Sequence, residues 1–178
     1  MKSTLRLAQR TVAACAAVLL LAGALAAQTQ WKTYRYASDG FAISMPSEPT
    51  PSKQSVPTEA GTFELRAYLA TDDDAALYVG VCDYGQVAEG KDPWIILEGA
   101  KNGAIKNVNG HLLSFERISL GTYPGMKFDG ENDTLHFSAR IYMVGTTLYQ
   151  TLTASPISHP YPASQQFFDS FQIIARSH

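Results

Sequence analysis

The stretch "ARIYMVGTTLYQTLTAS", residues 139–155, holds two alternating runs joined at Gly145-Thr146. Gly followed by Thr suits a two-residue type II′ turn, whose first central position needs φ > 0 and takes glycine without steric cost. Such a loop sets the register. Val144 faces Thr147, Tyr142 faces Tyr149, Arg140 faces Thr151, Ser138 faces Thr153 and His136 faces Ser155. Side chains alternate across a sheet, so Leu135, Phe137, Ala139, Ile141 and Met143 share the other face with Leu148, Gln150, Leu152 and Ala154. That second face reads as core. The first presents tyrosines, an arginine, hydroxyls and a histidine, and is expected to bind a peptide, sugar or other polar ligand through Arg140, Tyr142, Tyr149 and Thr151, because Tyr and Arg combine large contact area with polar ends. Its plainer reading is a solvated face, or one partly covered by the C-terminal helix, with Tyr142 and Tyr149 as an ordinary cross-strand pair.

Outward from the hairpin, turn signals recur every eight to twelve residues, at Asp39-Gly40, Pro46 to Pro51, Ala60-Gly61, Asp72 to Asp74, Asn109-Gly110, Pro124-Gly125, Gly130 and Gly145. Between them lie segments rich in β-branched and aromatic residues, which predict a mainly antiparallel sheet. Strands are expected near Thr33–Tyr36, Phe41–Met45, Thr62–Ala70, Ala76–Tyr84, Leu112–Leu120, Met126–Asp129, Leu135–Val144 and Thr147–Ser155, with a short one at Gln54–Thr58. Two segments read as helical. In "DPWIILEGAKNGAIKNVNG", Asp92 can cap, Pro93 suits the first helical position and Gly110 can end the helix. Trp94, Leu97, Ala104 and Val108 form one buried stripe, and Gly99 and Gly103 are expected to mark close packing on the sheet. "SQQFFDSF" then places Phe167, Phe168 and Phe171 on a short helix that must dock. The pattern is that of an α+β domain with helices packed on an antiparallel sheet.

The first 26 residues carry Lys2, Arg6 and Arg10, then an uncharged Ala/Leu/Val run, then Ala24-Leu25-Ala26. This is the three-part pattern of an export signal with cleavage before Ala27. The apolar stretch Thr11 to Ala27 is 17 residues long, short of the roughly 20 that a spanning helix needs, so no membrane span is expected after cleavage. Cys15 has a run of apolar residues after it, where a lipid-modified cysteine would end that run. Residues 27–178 then form a single domain of 152 residues, large enough for a sizeable core. Loss of three basic residues leaves 11 Lys and Arg against 16 Asp and Glu, a formal net charge of −5. A mildly acidic chain without basic runs lacks the electrostatic footprint for nucleic acid. Cys82 remains alone, cannot form an internal disulfide, and sits in the apolar run "ALYVGVCDY", so a buried structural thiol is expected.

Catalytic signals are sparse. No Gly-x-Ser-x-Gly elbow occurs. Cys82 with His111, His136 or His159, and Asp83 to orient the base, would make a thiol dyad only if the fold joins them. The sequence has no His-x-x-x-His and no Cys-x-x-Cys. "DGENDT" spaces Asp129, Glu131 and Asp133 like the start of a calcium loop, yet Arg140 stands at the twelfth position where a bidentate Glu is required. "TDDDAA" reads as a solvated acidic turn. Glu64, Glu98, Glu116 and Asp83 are carboxylates that sequence cannot pair in space. Neither a metal nor a cofactor is expected.

Taken together, "YASDGFAISMPSEPT", "GTYPGMKF", "ARIYMVGTTLYQTLTAS" and "FFDSF" resemble exported bacterial proteins of the PsbP/Mog-like superfamily. The matching positions are Gly40-Phe41, Pro46, Pro124-Gly125, Arg140, Tyr142, Gly145, Tyr149, Phe168 and Ser170-Phe171. The resemblance implies an α/β/α sandwich on a twisted antiparallel sheet with flanking helices. It also implies accessory or binding roles, since its branches include extrinsic photosystem subunits and a small-GTPase regulator, although no site motif of either branch is present and fold does not settle function. The expectation is an exported, periplasmic or secreted, non-catalytic domain that binds an envelope protein or polar ligand. The alternatives are a hydrolase or thiol enzyme using Cys82 or a carboxylate pair, and an ion-binding accessory protein.

Overall fold

The computed structural model describes residues 30–58 and 61–177; the expected export signal over residues 1–26 lies outside them. At the centre, strands β8 (Leu135–Val144) and β9 (Thr147–Pro156) pair in the register that the turn dictates, with Tyr142 opposite Tyr149 and Arg140 opposite Thr151. Gly145 takes φ 60° while Thr146 is not among the positive-φ residues, the signature of type II′ rather than I′. The hairpin grows on both sides. Beyond β9 come β5 (Ala75–Asp83), β4 (Gly61–Asp72) and β3 (Thr50–Thr58); beyond β8 come β7 (Tyr123–Glu131) and β6 (His111–Leu120), making an antiparallel sheet of seven strands. A second sheet of three strands contains β1 (Lys32–Tyr36), β2 (Phe41–Met45) and β10 (Gln172–Ile173), with β2 central.

Each face of the large sheet is covered by a different layer. Helix α1 (Pro93–Asn107) starts as expected: the Asp92 carboxylate accepts from the Trp94 amide at 3.0 Å, and Pro93 occupies the first turn. The helix ends where Asn109, at φ 50°, takes the left-handed conformation. Leu97 of α1 is fully buried against Met126, Phe128, Phe137, Ile141 and Leu148. The opposite face is covered by the small sheet together with α2 (Ser164–Asp169). In β2 the residues Phe41, Ile43 and Met45 recur with period two. They pack with Phe167, Phe168 and Phe171 onto Leu77, Val79, Val81, Tyr142 and Tyr149. At about 25 cal/mol per Å² of apolar area removed from water, these two clusters are the dominant stabilising contribution.

Three expectations are corrected. The fold is more sheet-rich than a sandwich flanked by helices, since one covering layer is itself a sheet with a single short helix among the described residues. Gly99 and Gly103 do not approach the sheet: a Cβ at either would meet nothing within 4 Å, because both lie on the solvent side of α1. The β6–β7 turn falls at Gly121, with φ 60°, and not at Pro124-Gly125. Gly125 is instead inside β7, where a Cβ would stand 2.6 Å from the Ile141 carbonyl and collide with the Tyr142 ring.

Candidate functional site

The face expected to bind ligand is largely interior. Tyr142, Tyr149 and Thr151 are 4%, 2% and 1% exposed, because β2 and the C-terminal segment lie over them. Their polar groups are satisfied within the chain. The Tyr149 hydroxyl donates to the Asp39 carbonyl at 2.7 Å, and the Thr151 hydroxyl to the Arg140 carbonyl at 2.9 Å. Tyr142 stacks on Phe171 with centroids 5.9 Å apart. Arg140, half-buried, holds α2 in place: its guanidinium donates to Asp169 at 2.9 Å and Gln165 at 3.0 Å and lies over Phe168. As a group these four residues do not form an open surface.

A polar cluster that sequence reading missed adjoins them. Asp39, 4% exposed, accepts from Arg66 Nε at 2.6 Å and from the Tyr68 hydroxyl. Burial, then the Asp39 carboxylate, pushes the Tyr68 phenol well above its ordinary range. Arg66 also reaches Glu64 at 3.3 Å, and Glu64 reaches Lys53 at 3.5 Å. Arg176 of the C-terminal tail donates to Thr147 at 2.9 Å and lies 3.7 Å from Asp83. Asp83 is held below the usual carboxylate range: partial burial opposes this, but the Gly85 amide, the Thr146 hydroxyl and nearby arginines outweigh it. Three carboxylates meet three cations here, so the charges are spent on fastening the β1–β2 turn and the tail to the sheet. The only sequence signal was Asp39 before Gly40, read as a turn.

The remaining candidates stay apart. Cys82 is buried, and burial pushes its thiol up, the reverse of what a nucleophilic thiolate needs. It faces Leu148 on β9, whereas His136 faces Ser155. Seven residues of strand, about 23 Å at ~3.3 Å per residue, separate those positions. His111 pairs with Glu131 at 3.3 Å and His159 with its neighbour Ser158 at 2.9 Å. Glu98 and Glu116 are neutralised by Lys101 and Lys127, each at 2.7 Å. Asp129 is a strand residue accepting from Ser114 at 2.9 Å and Ser138 at 2.5 Å, and Asn132 closes the following turn by accepting from the Leu135 amide at 2.9 Å. Asp129 to Asp133 is thus a strand end and turn rather than a calcium loop. Among the described residues no group of three or more His, Cys, Asp or Glu could hold a metal ion. Asp72 of the acidic turn accepts from the Tyr161 hydroxyl at 2.7 Å.

One open region is not committed in this way. At the end of the sheet the β6–β7 and β8–β9 turns meet the segment before α1, forming a depression of about 350 Å³. It is lined by Tyr123, Pro124, Met143 and Gly145, with Glu89, Lys91 and Thr146 among its polar groups. Glu89 and Lys91 are exposed, and no carboxylate or cation among the described residues pairs with either. The depression therefore brings the apolar side chains of Tyr123 and Pro124 beside exposed charges of both signs.

No protein-family model and no curated protein matches the chain. Among solved structures it is similar to the solution structure of cyanobacterial PsbP (CyanoP) from Synechocystis, with 9% identity, a TM-score of 0.57, and coverage of 84% of this chain and 95% of that one. A Pseudomonas aeruginosa protein of unknown function aligns with 10% identity and a TM-score of 0.44, covering 84% of this chain and 99% of that one. At such identities likeness speaks for the fold alone. The chain has a PsbP-like fold, built mostly of antiparallel sheet.

Proposed function

We propose that the chain is an exported, non-catalytic accessory domain that binds another component of the periplasm or cell surface at the depression formed by the two hairpin turns and the start of α1. The observation that carries this reading is the contrast in charge pairing: the Asp39–Arg66 and Asp83–Arg176 pairs are made within the chain, whereas Glu89 and Lys91, which line the depression beside Tyr123 and Pro124, have no ion-pair partner among the described residues. A protein surface with complementary charge and an apolar side chain set against Tyr123 and Pro124 would fit this depression. Export is supported by the basic start, apolar run and Ala-Leu-Ala of residues 2–26.

The test is co-purification from the native envelope, comparing wild type with a Lys91→Glu, Tyr123→Ala double variant. Neither side chain belongs to a core cluster, so the melting temperature should hold while capture of the specific partner falls at least tenfold. Equal capture by both proteins would overturn the assignment of this surface.

A further inference from the structure

A cavity of about 330 Å³ opens at the β3 edge of the large sheet, lined by Pro51, Ser52, Lys53, Arg66 and Tyr68. The strand register explains its make-up. Pro51 pairs with Tyr68 and Lys53 with Arg66; residues two apart on a strand share a face, so an apolar pair and a cationic pair stand side by side. Both charges in the lining are positive, and the carboxylates that pair with them, Asp39 and Glu64, lie outside it. Like charges directly opposite each other destabilise a pair of strands. Glu64 relieves this through long contacts from an exposed side chain, 3.5 Å to Lys53 and 3.3 Å to Arg66. Arg66 is fixed by the buried Asp39 through Nε at 2.6 Å and reaches Glu64 through Nη1, while Nη2 makes no hydrogen bond among the described residues. Tyr68 gives its hydroxyl to Asp39, and Tyr36 packs on its ring with centroids 4.0 Å apart. What Tyr68 offers the cavity is therefore ring carbon. The charged groups left over are donors, set beside an apolar wall.

We propose that this cavity binds a small organic acid, its carboxylate bridging Lys53 Nζ and Arg66 Nη2 and its apolar body lying over Pro51 and Tyr68. A carboxylate brings one negative charge and two acceptor oxygens, one for each donor, and charge-assisted hydrogen bonds of this kind are the strong class. It also separates the two opposed cations with a charge of the other sign. Two residues of strand, about 6.6 Å, lie between the cationic pair and the apolar pair. That spacing suits a carboxylate carried a few bonds away from a ring or branched chain. Asp39 holds the Arg66 guanidinium in place before any ligand arrives, so binding does not have to order that side chain. The volume lies at the lower end of the roughly 300–1,000 Å³ usual for ligand sites, which restricts the ligand to a small one. The cavity shares no lining residue with the hairpin-turn depression and does not rest on that binding role.

Titration of the purified protein with 3-phenylpropionate, followed by two-dimensional amide NMR, tests this. The amide resonances of Ser52, Lys53, Arg66 and Tyr68 should shift together and saturate, with a dissociation constant of about 1 mM or tighter. The matching alcohol, which keeps the ring without the charge, and propionate, which keeps the charge without the ring, should each bind at least tenfold more weakly. Lys53→Glu should weaken binding of 3-phenylpropionate at least tenfold and leave the melting temperature unchanged, because the Lys53–Glu64 pair is exposed and contributes little to stability. Arg66→Lys keeps the charge beside Asp39 but removes Nη2, and should weaken binding as well. Absence of saturable shifts at these four amides overturns the proposal. So does binding of the alcohol or of inorganic phosphate as tight as that of 3-phenylpropionate, or binding undiminished in the folded Lys53→Glu protein.

Discussion

Asp39→Ala tests the cluster that fastens the β1–β2 turn to the sheet. The carboxylate is almost wholly buried and receives hydrogen bonds from Arg66 Nε at 2.6 Å and from the Tyr68 hydroxyl. Its removal leaves a buried phenol without an acceptor, at a cost of about 1–3 kcal/mol, and separates a buried ion pair, for which roughly 3–5 kcal/mol is usual. These two figures overlap and do not add. Arg66 keeps Glu64 at 3.3 Å, and its side chain remains 22% exposed, so water recovers part of the loss and the net effect should be about 3 kcal/mol. For a domain of this size each kcal/mol moves the melting temperature by about 2–4 °C, giving a fall of roughly 6–12 °C. The assay is urea unfolding followed by tryptophan fluorescence, with calorimetry as the second probe. A double-mutant cycle with Tyr68→Phe should show a coupling above about 1 kcal/mol, since both changes break one bond. A loss below about 1 kcal/mol, or strictly additive variants, would refute the view that Asp39 anchors the β1–β2 turn.

Two further outcomes follow from local geometry. Gly125→Ala should cost about 2–3 kcal/mol or prevent folding, because its Cβ would press on the Ile141 carbonyl at 2.6 Å. Gly99→Ala, on the open side of α1, should instead stabilise by roughly 0.5–1 kcal/mol; urea midpoints that rank the two variants otherwise contradict the packing. Asp83 is held below the ordinary carboxylate range by the Gly85 amide, Thr146 and the arginines, which outweigh its partial burial. Its contribution is therefore present above about pH 4, the unfolded value, and is lost as pH falls through the lower folded value. Wild type should exceed Asp83→Asn in stability at pH 6, the gap closing towards pH 3; a gap independent of pH would show that ionisation of Asp83 is not what stabilises.

Much of the fold was legible because its signals are local. The Gly145-Thr146 turn carries its own register, Asp92-Pro93 marks a helix start, and Phe41, Ile43 and Met45 announce a one-sided strand. The two-residue β10 carries no periodicity of its own. The fate of the Tyr142–Tyr149 face was not legible, for a physical reason. Tyr149, Thr151, Thr153 and Ser155 look like surface residues from composition, but each is satisfied by a distant or looped-back partner: Tyr149 by the carbonyl of Asp39, Thr153 by Ser164, Ser155 by the Tyr161 amide. Whether a hydroxyl meets water or a carbonyl 110 residues away is decided by tertiary packing. The hairpin-turn depression was hidden for the same reason, since Lys91, Tyr123 and Gly145 converge only in space.

The β8–β9 hairpin is scaffold on both faces, one packed under α1 and the other under β2 and α2. Native-state amide hydrogen exchange measures this directly. The amides from Ala139 to Val144 and from Thr147 to Ser155 that bond within the ladder should exchange only through global unfolding, with opening free energies equal to that from urea denaturation. Exchange around Tyr142 and Tyr149 by local opening, well below the global value, would show the covering layer to be loose and contradict the account.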